Sequence, residues 1–174
     1  MTPRGFVPRR GVAPGPLAAA PVSRERALEV IEACEAPRVL FGAPDLARLA
    51  YYDQDPRGRR LLAIEEEGRV TALAMTFLSA VVTAQGIERV ATLDSVFLPS
   101  PTADRLSALV FAAAAAFAGE ATSPAVSAPS LATLDAEVVR AARLRATGTA
   151  FEASVCHPEG HPFGGAEATN LEVV

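Results

Sequence analysis

The residues best suited to chemistry lie in one stretch, "LDSVFLPSPTADRLSALVFAAAAAF", in which an apolar strand leads through a proline-containing loop into an alanine-rich helix. A strand that ends at a helix N-terminus is a common place for a phosphate group to bind. Asp94 on the strand has the chemistry of a general base that takes a proton from an amine, directly or through a water. Strand alternation places Asp94 on the opposite face from Leu93 and Ser95, and a carboxylate that merely bonds a neighbouring turn is the alternative.

A second set of reactive side chains is Cys156, His157 and His161 in "CHPEGH". Pro158 and Gly160 break any helix that would align the two imidazoles, and a fourth zinc ligand is not evident. Neighbouring residues of a strand point to opposite faces, which also argues against a cysteine and histidine nucleophile pair. We therefore expect an ordinary loop here and no bound metal.

Two further groups of residues each have a functional and a purely structural interpretation. Tyr51 or Tyr52 is a candidate for lining a substrate pocket; the alternative is that one packs inward while the other lies at the surface. The acidic run from Glu65 to Glu67 would attract a cationic amine in a pocket. Beside the turn residue Gly68, however, charges are easily solvated, so we interpret the run as an exposed hairpin end.

These residues must be positioned by helices packed on a sheet. Apolar spacing, caps and turn glycines predict the order α, α, then a three-strand meander, then α, β, α, β, β. Thr102 is predicted to cap the helix that runs to Glu120. The predicted helices are 24–36, 43–52, 102–120 and 131–145, and the predicted strands lie within 60–78, 79–99, 123–129, 148–157 and 167–174.

Length and charge limit the classes of protein that fit. With 174 residues, half of them apolar, we expect a disordered arm over residues 1–22 and one domain over 23–174. The net charge of −4 predicts no nucleic-acid partner. No segment is long and apolar enough for a membrane span, and the N-terminus does not read as a signal peptide. Two cysteines do not make a disulfide framework, so we expect a cytoplasmic protein.

The element order resembles the GNAT superfamily of acyl-CoA-dependent N-acetyltransferases over about residues 24–174. The resemblance is carried by "AIEEEGRVTALAM" for the family's second and third strands, "VATLDSVFLP" for its fourth, and "VVRAARLRATGTAF" for its last helix and sixth strand. It implies an α/β fold in which helices flank a mixed, mostly antiparallel central sheet.

The resemblance also implies acetyl-CoA or another acyl-CoA as co-substrate, bound between two diverging strands. The pantetheine arm would take backbone hydrogen bonds that the strands leave open, and the pyrophosphate would lie at the next helix N-terminus. The matching backbone positions are Val96, Phe97 and Leu98. The matching phosphate positions are Thr102, Ala103, Asp104, Arg105 and Ser107. Tyr51 and Tyr52 fall on the acceptor side of the family's cleft.

Three departures from the family pattern accompany this resemblance. The loop lacks glycines, with Arg105 and Ser107 near their expected places, so the Arg105 side chain either pairs with phosphate or fills the groove. Val139 stands near the position of the family's proton-donating tyrosine. The first strand has no clear counterpart, which would leave a sheet edge to be covered.

Two functions follow as hypotheses. The first is an N-acyltransferase that moves an acyl group from CoA to an amine of a small molecule or protein by direct transfer in a ternary complex, with Asp94 as its catalytic residue. The alternative is a catalytically inactive GNAT-shaped binding or assembly module. A C-terminal strand such as "NLEVV" could pair across a two-fold axis, so a homodimer is possible for either.

Overall fold

A computed structural model of the protein describes residues 5–8, 15–35, 46–52, 54–55, 58–83, 86–123, 126–128, 136–142 and 144–146. Within these residues the fold is mixed α/β, with one open sheet and four helices. The helices are α1 (Arg24–Glu35), α2 (Leu46–Tyr52), α3 (Ala103–Ala116) and α4 (Ala136–Ala141). The strands are β1 (Gly5–Pro8), β2 (Ala19–Pro21), β3 (Arg60–Glu66), β4 (Arg69–Thr83), β5 (Gly86–Phe97), β6 (Val126–Ser127) and β7 (Leu144–Ala146).

The strands form a single sheet in the order β2-β3-β4-β5-β6-β1-β7. Each neighbouring pair is antiparallel except β5 and β6, which run parallel. The long meander β3-β4-β5 is the one that the sequence predicts, with its first turn at Gly68. Both turn residues, Glu67 and Gly68, have positive φ angles (53° and 77°), as a two-residue hairpin turn of type I′ requires.

Helices cover both faces of the sheet, and each face has its own apolar core. On one face α1 and α2 pack through Ala27, Ile31 and Leu49 against alternate residues of β3, β4 and β5. On the other face α3 and α4 pack against the residues that alternate with these. The period-2 pattern of the strands therefore sorts side chains into two cores. We call the two surfaces the α1/α2 face and the α3/α4 face.

Helix α3 begins where the sequence predicts and ends earlier. The Thr102 hydroxyl caps it by accepting a hydrogen bond from the Arg105 backbone N–H (3.3 Å). Helical residues stop at Ala116, however, and residues 117–120 form turns, so the predicted end at Glu120 is wrong. Phe117 leaves the helix with a φ of −116° and is still almost fully buried. Its ring contributes to the core from the turn.

The N-terminal segment contributes two strands, β1 and β2, to the sheet. Strand β1 lies between β6 and β7, and β2 pairs with the outer edge of β3. This differs from the expected disordered arm over residues 1–22. It also supplies a strand beside β3, where the sequence offers no clear first strand. The short "AAP" of β2 has little β propensity, so pairing with a neighbouring strand decides its conformation.

The C-terminal predictions are tested only in part. The expected helix over 131–145 is helical at Ala136–Ala141, but Leu144–Ala146 is a strand paired with β1, so its predicted end is wrong. The short strand expected within 123–129 is present as β6. The described residues do not include the two final predicted strands. They also do not include Cys156, His157 and His161. Among the helices that the structure does describe, none has the length and apolarity to cross a membrane.

Candidate functional site

A β-bulge positions Asp94, the predicted general base. Met75 of β4 lies opposite Ser95 and Thr76 lies opposite Leu93, so Asp94 is an extra residue in β5. Bulges of this kind redirect a side chain. Ser95, paired with Met75, and Asp94 both fall on the α1/α2 face, while Leu93 is in the core of the other face. The prediction that alternation separates Asp94 from Leu93 is confirmed, and its extension to Ser95 is wrong because the bulge interrupts the alternation.

Asp94 belongs to a buried charge cluster that also contains Asp55 and Arg59. The Arg59 guanidinium donates from Nε to the Asp55 carboxylate (2.7 Å) and from Nη1 to the Asp94 carboxylate. The three side chains are at most 4% exposed. The guanidinium carbon also lies 4.9 Å from the centre of the Phe77 ring, within the range of a cation–π contact. The cluster thus holds the carboxylate of Asp94 fixed beneath the surface.

A cleft of about 440 Å³ opens beside this cluster, and we call it the Arg59 cleft. It lies between the N-terminus of α1 and the start of β3, and it is lined by Pro21, Val22, Ser23, Arg24, Glu25, Arg59, Arg60, Leu61 and Met75. Arg59 stands in the wall of the cleft and contacts Asp94 directly, so one side chain separates the cleft from the predicted base. The Arg60 side chain points to the α3/α4 face, where its guanidinium lies over the Phe117 ring (4.3 Å) and pairs with Glu120 (2.9 Å) in the turn after α3.

The α1 end of the cleft is an ordered helix start. The Ser23 hydroxyl accepts from the backbone N–H of Arg26 (3.4 Å), which identifies Ser23 as the N-cap of α1. A hydrogen bond from its own backbone N–H, and then one from the Ser23 side chain, lowers the pKa of Glu25. Glu25 therefore brings a negative charge to a cleft whose lining also includes Arg24 and Arg59.

Arg105, one of the predicted phosphate ligands at α3, is paired with a protein carboxylate. Arg105 donates from Nε to the Glu66 carboxylate (2.7 Å) and from Nη1 to the Ser100 carbonyl (3.0 Å). The hydrogen bond from Arg105, followed by one from the Thr71 hydroxyl, lowers the pKa of Glu66. Glu66 therefore already compensates the charge of the arginine that was predicted to pair with a phosphate.

The remaining predicted positions are divided between surface and core. Thr102 and Asp104 are exposed beside the helix start, and Ala103 is half-buried. Ser107 is buried, so its side chain is not displayed at the helix start as the resemblance implied. Tyr51 is 64% exposed on α2 and does not line the Arg59 cleft. The Tyr52 side chain lies outside the described residues.

The edge of β5 that should receive pantetheine is described only in part. Val96 and Phe97 pair with Ala74 and Leu73 of β4, which accounts for one edge of the strand. On the other edge, the described ladder to β6 consists of Ala91 with Val126 and Thr92 with Ser127. Leu98 follows the strand and is buried. Divergence of the two strands beyond Thr92 stays a prediction, because residues 129–135 lie outside the described part of the chain.

Sequence reasoning missed Asp55, Arg59 and Glu66 as partners of the predicted site residues. For Asp55 and Arg59 a local signal existed: a spacing of four residues across a turn in which Gly58 has a φ of +64°. The contacts of Arg59 with Asp94 and of Glu66 with Arg105 span 35 and 39 residues, and no local pattern encodes them.

No family model, curated protein or solved structure matches this chain. The mixed α/β architecture is what the structure establishes, and the resemblance to GNAT proteins stays a prediction. Within the described residues there is also no group of three or more potential metal ligands.

Proposed function

We propose that this protein is an N-acyltransferase with a GNAT-like sheet, which transfers an acyl group from CoA to an amine bound in the Arg59 cleft. The observation that carries the proposal is the bulge at Asp94. It turns a carboxylate toward the α1/α2 face close to where β5 ends, and β5 leads directly into the capped start of α3. A strand end, a helix N-terminus and an acid are thus adjacent.

The direction of β6 supports the same proposal. A parallel neighbour of β5 in an otherwise antiparallel sheet can diverge from it without a hairpin constraint, because the two strands are joined through α3. An extended pantetheine arm could then take the backbone hydrogen bonds that divergence leaves open. In this proposal Val96 and Leu98 supply them, and the CoA phosphates lie near Thr102 and Ala103.

The chemistry needs one proton acceptor. The amine nitrogen attacks the thioester carbonyl carbon, the new C–N bond forms and the C–S bond breaks. Asp94, or a water held by it, accepts the proton that leaves nitrogen, and CoA departs as a thiolate that is then protonated. Arg59 acts as a positioning residue, because it fixes the carboxylate of Asp94 from the wall of the cleft.

An inactive binding module is the second candidate, and a specific observation favours it. The predicted base and the predicted phosphate ligand both have protein partners, Arg59 and Glu66, at hydrogen-bonding distance. Such pairs would stabilise a fold that has no substrate. In that case no acyl-CoA should bind, and the Arg59 cleft would hold a different ligand.

The test is thermal unfolding of the full chain with and without acetyl-CoA. At a hundredfold excess over the dissociation constant, binding should raise the melting temperature by roughly 5–10 °C. Asp104→Lys removes a negative charge beside the proposed phosphate position, so it should tighten acetyl-CoA binding at low salt. Glu29→Lys makes the same change of charge on an exposed position of α1 and is the matched control.

Each outcome separates the two candidates. A shift that grows in Asp104→Lys and not in Glu29→Lys supports both acyl-CoA binding and its placement at α3. A shift of equal size in both variants would mean that CoA binds elsewhere. No shift with acetyl-CoA at any concentration overturns the acyltransferase and leaves the binding module.

A further inference from the structure

The hairpin formed by β4 and β5 extends beyond the strand next to it. Strand β4 pairs with β5 as far as Thr83, but its ladder to β3 ends where Thr76 lies opposite Arg60. In the described part of the chain, β4 from Leu78 onward therefore pairs with β5 and with no second strand. We call the outer side of residues 78–83 the β4 edge. Backbone groups that point away from a ladder in this way are open to pairing with a further strand.

Two large apolar side chains are exposed at the end of this hairpin. Val82 and Ile87 lie directly opposite each other and are 83% and 72% exposed. They continue the row that begins with the paired residues Leu78 and Ala91, which pack into the core of the α3/α4 face. Ala80 lies in the same row and is exposed as well. The row thus ends in a patch of adjacent apolar side chains outside the core, as is typical of a contact surface.

The β4 edge lacks the features that keep strands of different molecules from pairing. Exposed strand edges are usually very short, or they contain a charged residue or a proline. The two outer strands of the described sheet fit this rule, since β2 has three residues and ends at Pro21, and β7 has three residues and contains Arg145. Residues 78–83 are a longer edge and contain neither a charged residue nor a proline. The β4 edge is therefore suited to pairing with another strand.

A second copy of the chain fits this edge. Antiparallel pairing about a two-fold axis perpendicular to the sheet joins identical edges, and opposite residues then lie on the same face. With the axis at Ala80, Leu78 lies opposite Val82 of the partner subunit. Val82 is then flanked by Ile87 on its own β5 and by Leu78 of the partner subunit, so its exposed surface is covered. No like charges meet across the axis, because residues 78–83 contain none.

We propose that this protein forms a homodimer in which the β4 edges of two copies pair antiparallel, with Ala80 at the two-fold axis. The two seven-stranded sheets then become one continuous sheet. The paired segment is roughly 15–20 Å long at about 3.3 Å per residue, so the interface belongs with the small ones. We therefore expect a dimer that dissociates reversibly on dilution. The inference is independent of whether the chain transfers acyl groups.

The test is the mass of the full chain in solution, measured by sedimentation over a wide range of protein concentrations. Wild-type protein should change from the chain mass of 18.1 kDa to twice that mass as its concentration rises. Val82→Lys places a charge against Leu78 of the partner subunit, and Ala80→Lys brings two like charges together at the axis. Each variant should weaken the dimer by about tenfold or more.

Leu46→Lys is the matched control for these variants. It also replaces an exposed apolar side chain with a lysine, but on α2, and it should dimerise like wild type. Thermal unfolding at a low protein concentration, where every variant is a monomer, shows whether a variant still folds. Because all three positions are exposed, the melting temperatures should stay within about 3 °C of wild type.

A cysteine at the axis tests the register of the two strands. In Ala80→Cys the two introduced thiols face each other at a distance that a disulfide spans, and mild oxidation should link most of the dimer. In Val82→Cys the thiol faces Leu78 of the partner subunit, so much less of the dimer should be linked. Identification of the linked peptides by mass spectrometry separates this disulfide from one formed by Cys34 or Cys156.

The inference is overturned if wild-type protein keeps the chain mass at every concentration. It is also overturned by a dimer that Val82→Lys and Ala80→Lys leave intact, because that dimer uses another surface, such as the predicted C-terminal strand. Species that grow beyond two copies would show open-ended association instead of a closed dimer. A monomer that binds a different protein, and loses it in Val82→Lys, would show that the β4 edge has another partner, which likewise contradicts the proposal.

Discussion

Arg59 is the residue through which the buried charges of the site are connected. Its guanidinium bonds two carboxylates that are far apart in sequence and lies over the Phe77 ring. A planar group with five donors suits this arrangement better than a lysine ammonium would. In the buried setting each charge depends on its partner, because an uncompensated charge there costs several kcal/mol.

Asp94→Asn should therefore be strongly destabilising. The change keeps the shape of the side chain and removes its charge, which leaves the buried guanidinium less compensated. We expect a loss of about 3 kcal/mol in the free energy of unfolding, measured by urea denaturation. Glu65→Gln is the control, since Glu65 pairs with Arg26 (3.0 Å) at a solvent-exposed position, and such pairs contribute about 0–1 kcal/mol. Equal small losses in both variants would contradict a tightly buried Asp94.

At the level of elements, the contact between Glu66 and Arg105 fastens the β3-β4 hairpin to the first turn of α3. The two elements are distant in sequence, and this pair joins them beside the Thr102 cap. The bonds from Arg105 and Thr71 favour the ionised carboxylate and lower the pKa of Glu66 below its ordinary value of 4.5. The unfolded chain therefore binds more protons than the folded one just below that value, so stability decreases as the pH is lowered through this range.

The stability of Glu66→Gln measured as a function of pH tests whether this ion pair joins the hairpin to α3. The contribution of Glu66 is fully present above about pH 5 and is lost as pH falls through its lowered pKa. Compared with wild type, Glu66→Gln should be less stable at pH 7 and should lose less stability between pH 5 and pH 3, as measured by urea midpoints. Glu67→Gln, at the exposed turn next to it, should follow the wild-type curve. Parallel curves for Glu66→Gln and wild type would mean that the ion pair does not form in solution.

At the level of the whole molecule, the N-terminal segment supplies one inner strand and one edge strand of the sheet. Strand β1 separates β6 from β7, and β2 covers the outer edge of β3. Removing β1 would expose two strand edges at once, each with backbone groups that need partners. Strand β7 is thus joined to the rest of the sheet by residues that composition alone assigns to a disordered arm.

Deletion of residues 1–14 distinguishes a disordered arm from a strand that pairs on both sides within the sheet. A disordered arm could be removed with no change in stability. Removal of a strand that pairs on both sides should cost roughly 3–5 kcal/mol, at about 1 kcal/mol for each hydrogen bond lost. Chemical denaturation measures the difference, and limited proteolysis should show faster cleavage near β7. A chain replacing the Gly5–Pro8 segment with Gly-Ser repeats of equal length controls for chain length, and it should be as unstable as the deletion.

The sequence by itself determined the elements whose signals are local. The meander from β3 to β5 follows from period-2 apolarity and the turn glycine Gly68, and the start of α3 follows from Thr102 and the apolar positions after it. These choices are made by residues a few positions apart. Asp94 was likewise singled out by its type and its place near a strand end.

Only the tertiary structure decided what these residues face and what they contact. The bulge that turns Asp94 and Ser95 to one face depends on how β5 registers against β4, and the partners Arg59 and Glu66 come from 35 and 39 residues away. The strand conformation of "AAP" in β2 and of Leu144–Ala146 comes from neighbouring strands, against local preference. Hydrogen bonds and ion pairs between distant segments leave no periodic trace in a single sequence, so the geometry of the site emerges only when the chain folds.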